Sequence, residues 1–233
     1  MESSVALPPV GETWAILVGA GAGDRLGADR PKAFVRFRGR TMLAASLAVF
    51  DDHPAIDGIV CVVPAGYEDR ATLVVDDLLA DKVSAAVAGG ATRARSVAEG
   101  LVAVPASAAF VLVHDAARPL VTSELIDRVM AGLTAGAEAV IPGVPMVDTV
   151  KRVAGGRVLE TLARDELVSV QTPQGFTRAV LAEALAAEFE GATDCASLAE
   201  HIGRAVTVVE GDPGNYKITS PEDLARADPP QGG

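Results

Sequence analysis

The stretch with the most evident chemistry is a glycine-rich loop with one cation inside it and a second cation just after it. Small residues fill positions 19–23, directly after the apolar run 14–18. Arg25 lies within the loop, and Lys32 follows shortly after it. Small residues let the backbone approach a ligand and point its N–H groups at negative charge. The stretch therefore predicts a phosphate-binding loop with two charged side chains.

Two common phosphate loops do not fit this stretch. The dinucleotide fingerprint needs a third glycine where Leu26 stands, and a later carboxylate that the strand ending near Ala65 lacks. A P-loop needs Gly-Lys-Ser/Thr, whereas Lys32 follows Pro31 and precedes Ala33. The remaining pattern, G-x-G-x-R followed by P-K, is typical of enzymes that transfer a nucleotide from a triphosphate. The structural alternative is a glycine-rich turn with two solvated cations.

Two further polar groups follow the third and fourth predicted strands. After the third, residues 89–96 offer two glycines, backbone amides and the Ser96 hydroxyl, which suit the polar edge of a pyrimidine. Thr92 is equally explained as a helix cap. After the fourth, Asp115 is a candidate for binding substrate hydroxyls or lying near a metal, and Arg118 for binding phosphate. His114 is interpreted as structural, and an Asp–Arg ion pair without a ligand is the alternative for the other two.

Hydroxyls and cations also occur later in the chain. Asp148, Thr149 and Arg164 flank a predicted β-hairpin, and residues 171–174 follow it. Hydroxyls together with a guanidinium suit a phosphomonoester. Lys217 lies beyond the last predicted strand, where a solvated surface charge is the structural alternative.

Composition limits the class of protein. The chain has 233 residues and a formal net charge of −11, which argues against nucleic acid or an anionic membrane as a partner. Cys61 and Cys195 lack metal-ligand spacing and suggest a reducing compartment. The first residues do not read as a signal peptide, and no apolar run reaches the length of about 20 residues that spans a bilayer. The expected location is the cytoplasm.

Apolar runs alternate with helical patterns along most of the chain. Strands are predicted at 14–18, 59–63, 83–88, 109–113, 139–141 and 206–209. Helices are predicted at 42–50 with Thr41 as cap, 67–79, 92–103, 123–133, 177–188, near 196–202 and from 221. This alternation predicts an α/β fold with a Rossmann-like, mostly parallel sheet and helices on both faces. Ligands of such sheets bind beyond the carboxyl ends of the strands.

A protruding β-hairpin arm is predicted at about 145–170, with a turn around Gly155 and Gly156. A lone hairpin is marginal in water, so it is expected to pack either on another subunit or on its own sheet. The predicted domain organisation is a flexible tail at 1–13, one nucleotidyltransferase-type domain at 14–228 that includes the arm, and a disordered tail at 229–233.

Taken in order, the motifs resemble those of the 2-C-methyl-D-erythritol 4-phosphate cytidylyltransferase family. They are G-x-G-x-R…P-K, G-G-x-x-R-x-x-S-V, H-D-A-A-R-P, D-T-x-K, T-P-Q-x-F, T-D-x-A-S and K-I-T, and they cover about 18–219. The resemblance implies transfer of CMP from CTP to 2-C-methyl-D-erythritol 4-phosphate, with magnesium, in isoprenoid precursor biosynthesis. It also implies a homodimer in which each arm completes the partner's active site.

The resemblance implies a role for each matching residue. Transition-state stabilisation falls to Arg25 and Lys32, and positioning of the acceptor phosphate to Arg164 and Lys217. The implied CTP contacts are Gly19, Ala20, Gly21, Gly23, Gly90, Ala91 and Ser96. The implied acceptor contacts are Asp115, Arg118, Thr149 and Thr172. Magnesium is expected to be held mainly by the triphosphate, with Asp115 as an additional candidate ligand.

Four positions depart from the family pattern. Gly19 replaces an alanine, Val18 stands where proline is common, and Cys195 follows Thr193-Asp194 where an acidic residue is usual. Ala91 lacks the polar side chain that some relatives have, although a backbone contact does not need it. The alternatives are a cytidylyltransferase for ribitol 5-phosphate, a sugar-phosphate nucleotidyltransferase that uses another base, and a non-catalytic nucleotide-binding module. The two cations of the first loop together with Lys217 favour an enzyme, because binding alone does not require all three.

Overall fold

The computed structural model describes residues 11–21, 26, 30–187 and 191–228 of the chain. Its strands are β1 Thr13–Val18, β2 Arg36–Phe37, β3 Arg40–Thr41, β4 Gly58–Val63, β5 Val83–Ala88, β6 Phe110–Asp115, β7 Ala139–Pro145, β8 Lys151–Ala154, β9 Arg157–Thr161, β10 Val168–Val170, β11 Gln174–Thr177 and β12 Val206–Glu210. Its α-helices are α1 Met42–Asp52, α2 Glu68–Leu78, α3 Arg93–Ala103, α4 Ser123–Thr134, α5 Arg178–Ala186, α6 Cys195–His201 and α7 Pro221–Ala227.

The centre of the fold is a mostly parallel sheet. Its strand order is β5-β4-β1-β6-β11-β7, with β12 on the outer side of β7. Strands β5, β4, β1 and β6 pair in parallel, and β12 pairs in parallel with β7. The carboxyl ends of β1, β5 and β6 therefore meet at one edge. This arrangement confirms the predicted α/β class.

Helices cover both faces of the sheet. On one face, apolar residues of α1, α2 and α4 pack on β1 and β4, among them Leu47 and Ile126. On the other, α3, α5 and α6 pack through residues such as Val97 and Leu198. All six residues of β4 are buried, which explains why this strand is continuously apolar. Among the residues described, no helix combines the length and apolar composition that a membrane crossing requires.

Side-chain caps fix where most helices begin. Thr41 accepts a hydrogen bond from the Ala44 N–H at 3.1 Å, which confirms the predicted cap of α1. Thr92 caps α3 in the same way. Asp194 caps α6 by accepting from the Ser197 N–H, and its own N–H donates to the Ser197 hydroxyl. Such caps satisfy N–H groups that have no partner within the helix. They place the first residues of α3 and α6 precisely.

The antiparallel strands β10 and β11 were not predicted from the sequence. They pair with successive parts of β7, and β11 inserts between β7 and β6. Residues 171–173 separate β10 from β11, and each of these strands is too short to show an alternating pattern of polar and apolar residues. The predicted arm at 145–170 therefore includes residues that are not part of it, because β10 at 168–170 belongs to the central sheet.

The hairpin itself is confirmed. β8 and β9 pair antiparallel around Gly155 and Gly156, whose φ angles are +54° and +75°. Positive φ at both central positions is the turn geometry that matches strand twist in two-residue hairpins.

The predicted N-terminal tail at 1–13 extends too far into the chain, because Thr13 begins β1 and the Glu12 carbonyl accepts hydrogen bonds from Ala109 and Phe110. Residues 1–10 and 229–233 lie outside the described residues.

Candidate active site

A cavity of about 550 Å³ opens at the carboxyl ends of β1, β5 and β6. Its walls come from the loops after these strands, at 18–21, 90–93 and 115–117, and from Lys32, Ser96 and Lys217. This is the edge at which ligands of parallel sheets bind. Segments that are far apart in sequence thus converge on one space.

The first loop lies on one wall of this cavity. Gly19, Ala20 and Gly21 line it, and the Gly19 N–H donates to the Val62 carbonyl at 2.7 Å. Lys32 lines the same cavity and begins a 3₁₀ turn, Lys32–Phe34. Two predicted members of this loop, Gly23 and Arg25, lie outside the described residues.

The second loop lines the same cavity as the first. Gly90, Ala91 and Ser96 all line it, as predicted for a base-reading segment. The buried Ser96 hydroxyl lies 2.9 Å from the Thr92 carbonyl and 3.3 Å from the Gly90 carbonyl. These contacts tie the loop to the first turn of α3, so its backbone groups have a fixed direction. The cytosine-binding role of the three residues stays a prediction.

Gly89 sets how closely the two loops approach. A Cβ atom at this position would lie 2.4 Å from the Ala20 Cβ and 2.8 Å from the Ser96 Oγ. We therefore expect Gly89→Ala to push the loops apart and weaken CTP binding about tenfold or more, measured by calorimetry. Gly132→Ala is the matched control, because its Cβ would meet Val140 at 2.9 Å, on α4 and away from the cavity. That variant should lose stability and keep its CTP affinity; equal losses of affinity would contradict the prediction.

Asp115 lies at the end of β6 between two cations. Its Oδ1 accepts from Arg93 Nε at 3.0 Å and lies 2.9 Å from Arg93 NH2, and its Oδ2 accepts from Lys217 Nζ at 2.7 Å. The Asp115 side chain is 11% exposed and Lys217 38%, so the cluster borders the cavity. Burial by itself would raise the pKa of Asp115, but Arg93 and Lys217 hold it well below the usual range. Asp115 is therefore a permanent carboxylate.

Sequence reasoning gave Arg93 no role. This residue is the first of α3, and its guanidinium extends from the helix start to the end of β6. Its NH1 group also donates to the Cys195 Sγ at 3.3 Å. The signal was present in the quoted motif G-G-x-x-R, where Arg93 is the arginine. Only the packing of α3 beside β6 shows which carboxylate it meets.

His114, Thr172 and Arg118 form a buried network behind the cavity. Thr172 Oγ1 accepts from the Asp115 N–H at 3.1 Å and also lies 3.1 Å from His114 Nδ1. His114 Nε2 then donates to the Arg118 carbonyl at 3.2 Å. Burial lowers the pKa of His114 to about 3, so the ring is neutral. His114 therefore serves structure, in line with the interpretation from the sequence.

Arg118 and Thr172 are not among the residues that line the cavity. The Arg118 guanidinium donates to the carbonyls of Asn215 and Val170, at 2.9 and 3.2 Å. These bonds attach the segment before Lys217 to the end of β10. In this structure Arg118 and Thr172 hold the wall of the site, and their predicted contacts with the acceptor stay predictions.

Thr149 and Arg164 lie on the arm, outside the cavity lining. Thr149 is exposed, and the half-exposed Arg164 side chain donates to the Val147 carbonyl at 2.7 Å. The fold of one chain therefore brings Lys32, Asp115 and Lys217 together but leaves Thr149 and Arg164 apart from them.

The low pKa of His114 predicts that the stability of the fold depends on pH. The folded pKa of about 3 lies below the unfolded value near 6.5, so the unfolded chain binds the extra proton between these values. The free energy of unfolding should thus fall on acidification from about pH 6.5 to 4, by up to about 1 kcal/mol per pH unit. Urea titrations at several pH values measure it. His114→Gln should flatten the slope, and an unchanged slope would contradict the prediction. The low pKa of Asp115 acts in the same direction but only below about pH 4.

The described residues do not offer magnesium a ready protein site. No group of three or more His, Cys, Asp or Glu side chains in the described part of the chain could hold a metal. Both Asp115 oxygens are engaged by cations, so this carboxylate does not fit as a free metal ligand. The donors around the cavity suit an anion instead.

Comparison with known proteins gives a consistent result. A sequence profile described as 2-C-methyl-D-erythritol 4-phosphate cytidylyltransferase matches residues 13–229. A protein of that name from Rhodococcus opacus is 44% identical over 218 residues, which cover 93% of this chain and 94% of the relative. A bifunctional IspD/IspF enzyme from Solidesulfovibrio magneticus is 45% identical over 222 residues. These cover 91% of this chain but only 55% of that relative, so the chain spans about half of the bifunctional protein.

Solved structures agree with the sequence comparison. The 4-diphosphocytidyl-2C-methyl-D-erythritol synthase from Anaerococcus prevotii superposes with a TM-score of 0.82 at 30% identity, over 94% of this chain and 97% of that one. The 2-C-methyl-D-erythritol 4-phosphate cytidylyltransferase from Thermus thermophilus gives a TM-score of 0.74 at 35% identity, over 91% and 96%.

Proposed function

Because the chain belongs to the 2-C-methyl-D-erythritol 4-phosphate cytidylyltransferase family, we propose that it transfers CMP from CTP to 2-C-methyl-D-erythritol 4-phosphate. Pyrophosphate is released, and the product enters the non-mevalonate route to isoprenoid precursors. The observation that carries this proposal is that Lys32 and Lys217 line one cavity together with two small-residue loops. A cavity with cations at separate positions suits two phosphorylated substrates.

In the proposed reaction, an oxygen of the acceptor phosphate attacks the α-phosphorus of CTP. The new P–O bond forms as the bond to the β-phosphate bridging oxygen breaks, and that oxygen leaves with pyrophosphate. The acceptor phosphate is already ionised near neutral pH, so no general base is needed. His114 supports this view, because both its ring nitrogens are engaged in a buried network and its pKa is about 3. Catalysis then consists of positioning and of neutralising the repulsion between two anions.

The two halves of the cavity receive different substrates in this proposal. The loops at 19–21 and 90–96 receive the nucleotide, with Lys32 on its triphosphate and Ser96 near the base. Lys217 and Asp115 receive the acceptor, whose phosphate replaces one oxygen of Asp115 as the partner of Lys217. Magnesium enters as part of the substrate, held by triphosphate oxygens, because Asp115 is already engaged by two cations.

Release of pyrophosphate tests this function. Full-length protein is incubated with CTP, magnesium and 2-C-methyl-D-erythritol 4-phosphate, with ATP, GTP and UTP as alternative donors. Ribitol 5-phosphate is the alternative acceptor. Turnover only with CTP and the methylerythritol phosphate supports the proposal. Preference for ribitol 5-phosphate would change the acceptor, and tight CTP binding without turnover would favour a nucleotide-binding module.

We also propose a homodimer in which the arm of one subunit completes the site of the other. Val153 and Val158, which pair across β8 and β9, are 61% and 60% exposed, and Leu159 is 62% exposed. Exposed apolar side chains on a hairpin that buries little of its own surface suit coverage by a second copy. The arm also carries Thr149 and Arg164, two of the predicted acceptor residues that do not line the cavity of their own chain.

Mixing two inactive variants tests the shared site. Arg164→Met and Lys217→Met are each expected to be nearly inactive alone. If Arg164 acts across the dimer, a heterodimer has one site with both residues intact. Equal mixing with subunit exchange should then restore about a quarter of wild-type activity, because half the dimers are mixed and half their sites are intact. No recovery, with exchange verified by mass spectrometry, would place Arg164 and Lys217 in the same subunit's site.

The cytoplasm is the proposed location of this reaction. Cys61 and Cys195 are both buried free thiols, as suits a reducing compartment. Burial raises the pKa of Cys61 to about 12, so this thiol is inert and belongs to the core. Fractionation of cells with antibody detection tests the location.

A further inference from the structure

We propose that Arg93 is a positioning residue for the acceptor side of the cavity. It fixes the carboxylate of Asp115, and that carboxylate in turn holds the Lys217 ammonium over the place where the acceptor phosphate binds. The inference rests on the proposed function and adds a residue to which the family resemblance gave no role.

The contacts divide the carboxylate of Asp115 between two cations. Arg93 directs two nitrogens, Nε and NH2, at Oδ1, at 3.0 and 2.9 Å. Oδ2 is left to Lys217 Nζ at 2.7 Å. Because two Arg93 nitrogens contact Oδ1, the orientation of the Asp115 carboxylate is fixed, and with it the position of Oδ2. The position of the Lys217 ammonium follows from that of Oδ2.

Arg93 is itself held by rigid elements. It is the first residue of α3, directly after the cap at Thr92, and its NH1 group donates to the Cys195 Sγ at the start of α6. Cys195 is fixed in turn, since its N–H donates to Gln174 Oε1 at 3.2 Å. All three guanidinium nitrogens thus have a protein partner. This is the arrangement of a group that orients its neighbours.

The charges explain why two cations share one carboxylate. Two cations and one carboxylate leave the cluster with a net charge of +1, and the low pKa of Asp115 keeps that charge constant near neutral pH. Because Asp115 shares its negative charge between Arg93 and Lys217, it binds the Lys217 ammonium less strongly than it would in an ion pair with Lys217 alone. The Lys217 ammonium can therefore exchange Asp115 for an incoming phosphate. Because Asp115 cancels the charge of Arg93, this arginine adds little to the field on the triphosphate.

Steady-state kinetics of Arg93→Met test the inference. We expect KM for the acceptor to rise about tenfold or more while KM for CTP changes less than about threefold. Arg204→Met is the matched control, since Arg204 is likewise an ion-paired arginine, with Glu138 and Glu183 as its partners, but it precedes β12 at the opposite edge of the sheet. It should leave both values unchanged. A rise of KM for CTP alone, or of both in parallel, would overturn the inference and make Arg93 a nucleotide contact.

Two further variants separate positioning from folding. Arg93→Lys keeps the charge beside Asp115 but lacks the two nitrogens that fix Oδ1, so it should recover only part of the affinity for the acceptor. In an Asp115→Asn background, Arg93→Met should have little further effect, because the carboxylate through which it acts is gone. Additive effects of the two substitutions, or equal losses in Arg93→Lys and Arg93→Met, would overturn the inference. Thermal unfolding of each variant reports whether the fold is retained.

A readout independent of turnover separates this inference from the proposed function. Reductive methylation of Lys217, followed by peptide mass spectrometry, measures how strongly its amine is engaged. Without Arg93, Asp115 binds Lys217 alone, and methylation should slow several-fold relative to wild type. Unchanged or faster methylation would overturn the inference. Absence of turnover in wild-type protein would reject the proposed function while the methylation result still decides the role of Arg93.

Discussion

Replacement of Lys32 by alanine is expected to lower kcat about 10²-fold or more, as for loss of one preorganised charge contact in an active site. Lys32 begins a short turn whose next two residues, Ala33 and Phe34, are buried. The Phe34 ring packs against Tyr67 with centroids 5.2 Å apart. The turn is thus anchored in the core, and this anchoring places Lys32 at the cavity lining.

The effect of Lys32→Ala should appear mainly in kcat, because charge on the leaving pyrophosphate grows in the transition state. Lys32→Met keeps most of the length of the side chain and should lower kcat as much as Lys32→Ala does, if the effect comes from loss of the positive charge. Arg36→Ala is the matched control, since Arg36 is an exposed cation on the adjacent β2. Initial rates of pyrophosphate release measure all three. A fall in kcat of less than about threefold for Lys32→Ala would contradict the role given to it.

Lys217→Met is expected to lower kcat/KM for the acceptor about 10³-fold, roughly 4 kcal/mol of lost transition-state stabilisation. Two changes add. The acceptor phosphate loses the cation that is to bind it, and the Asp115 carboxylate loses one of its two partners and faces the incoming anion. Like charge brought into a partly buried site costs more than the missing contact alone.

The acceptor should bear nearly the whole effect of Lys217→Met, with KM for CTP changed by less than about threefold. Rates measured over a range of acceptor concentrations at saturating CTP give kcat/KM directly. Arg204→Met again serves as the control for loss of one cation. A parallel rise of KM for CTP would assign Lys217 to the triphosphate and reverse the proposed division of the cavity.

The segment that carries Lys217 shows why distant sequence comes together here. Gln171 Nε2 donates to the carbonyls of Asp212 and Asn215 at 2.7 and 3.2 Å, and Asn215 Nδ2 donates to the Thr172 carbonyl at 2.8 Å. These bonds fix the segment before Lys217 to the break between β10 and β11. No local pattern in the sequence indicates such pairing, because each partner taken alone is an ordinary polar residue.

The sequence by itself determined the parallel core, most helix limits and the loops of the site. Buried strands are continuously apolar, threonine caps mark helix starts, and glycines mark close approaches of the backbone; these are local signals. The resemblance of the ordered motifs then placed Lys32, Asp115 and Lys217 in one site, and the fold brings these three to one cavity.

The tertiary structure alone decided which polar groups meet. It engages Asp115 with Arg93 as well as Lys217, directs Arg118 to backbone carbonyls, and leaves Arg164 on the arm outside the cavity lining. The physical reason is that an ion pair between residues 93 and 115, or 115 and 217, depends on how strands and helices pack across the sheet. Sequence spacing carries no information about that packing, whereas burial, capping and turn geometry act within a few residues of the chain.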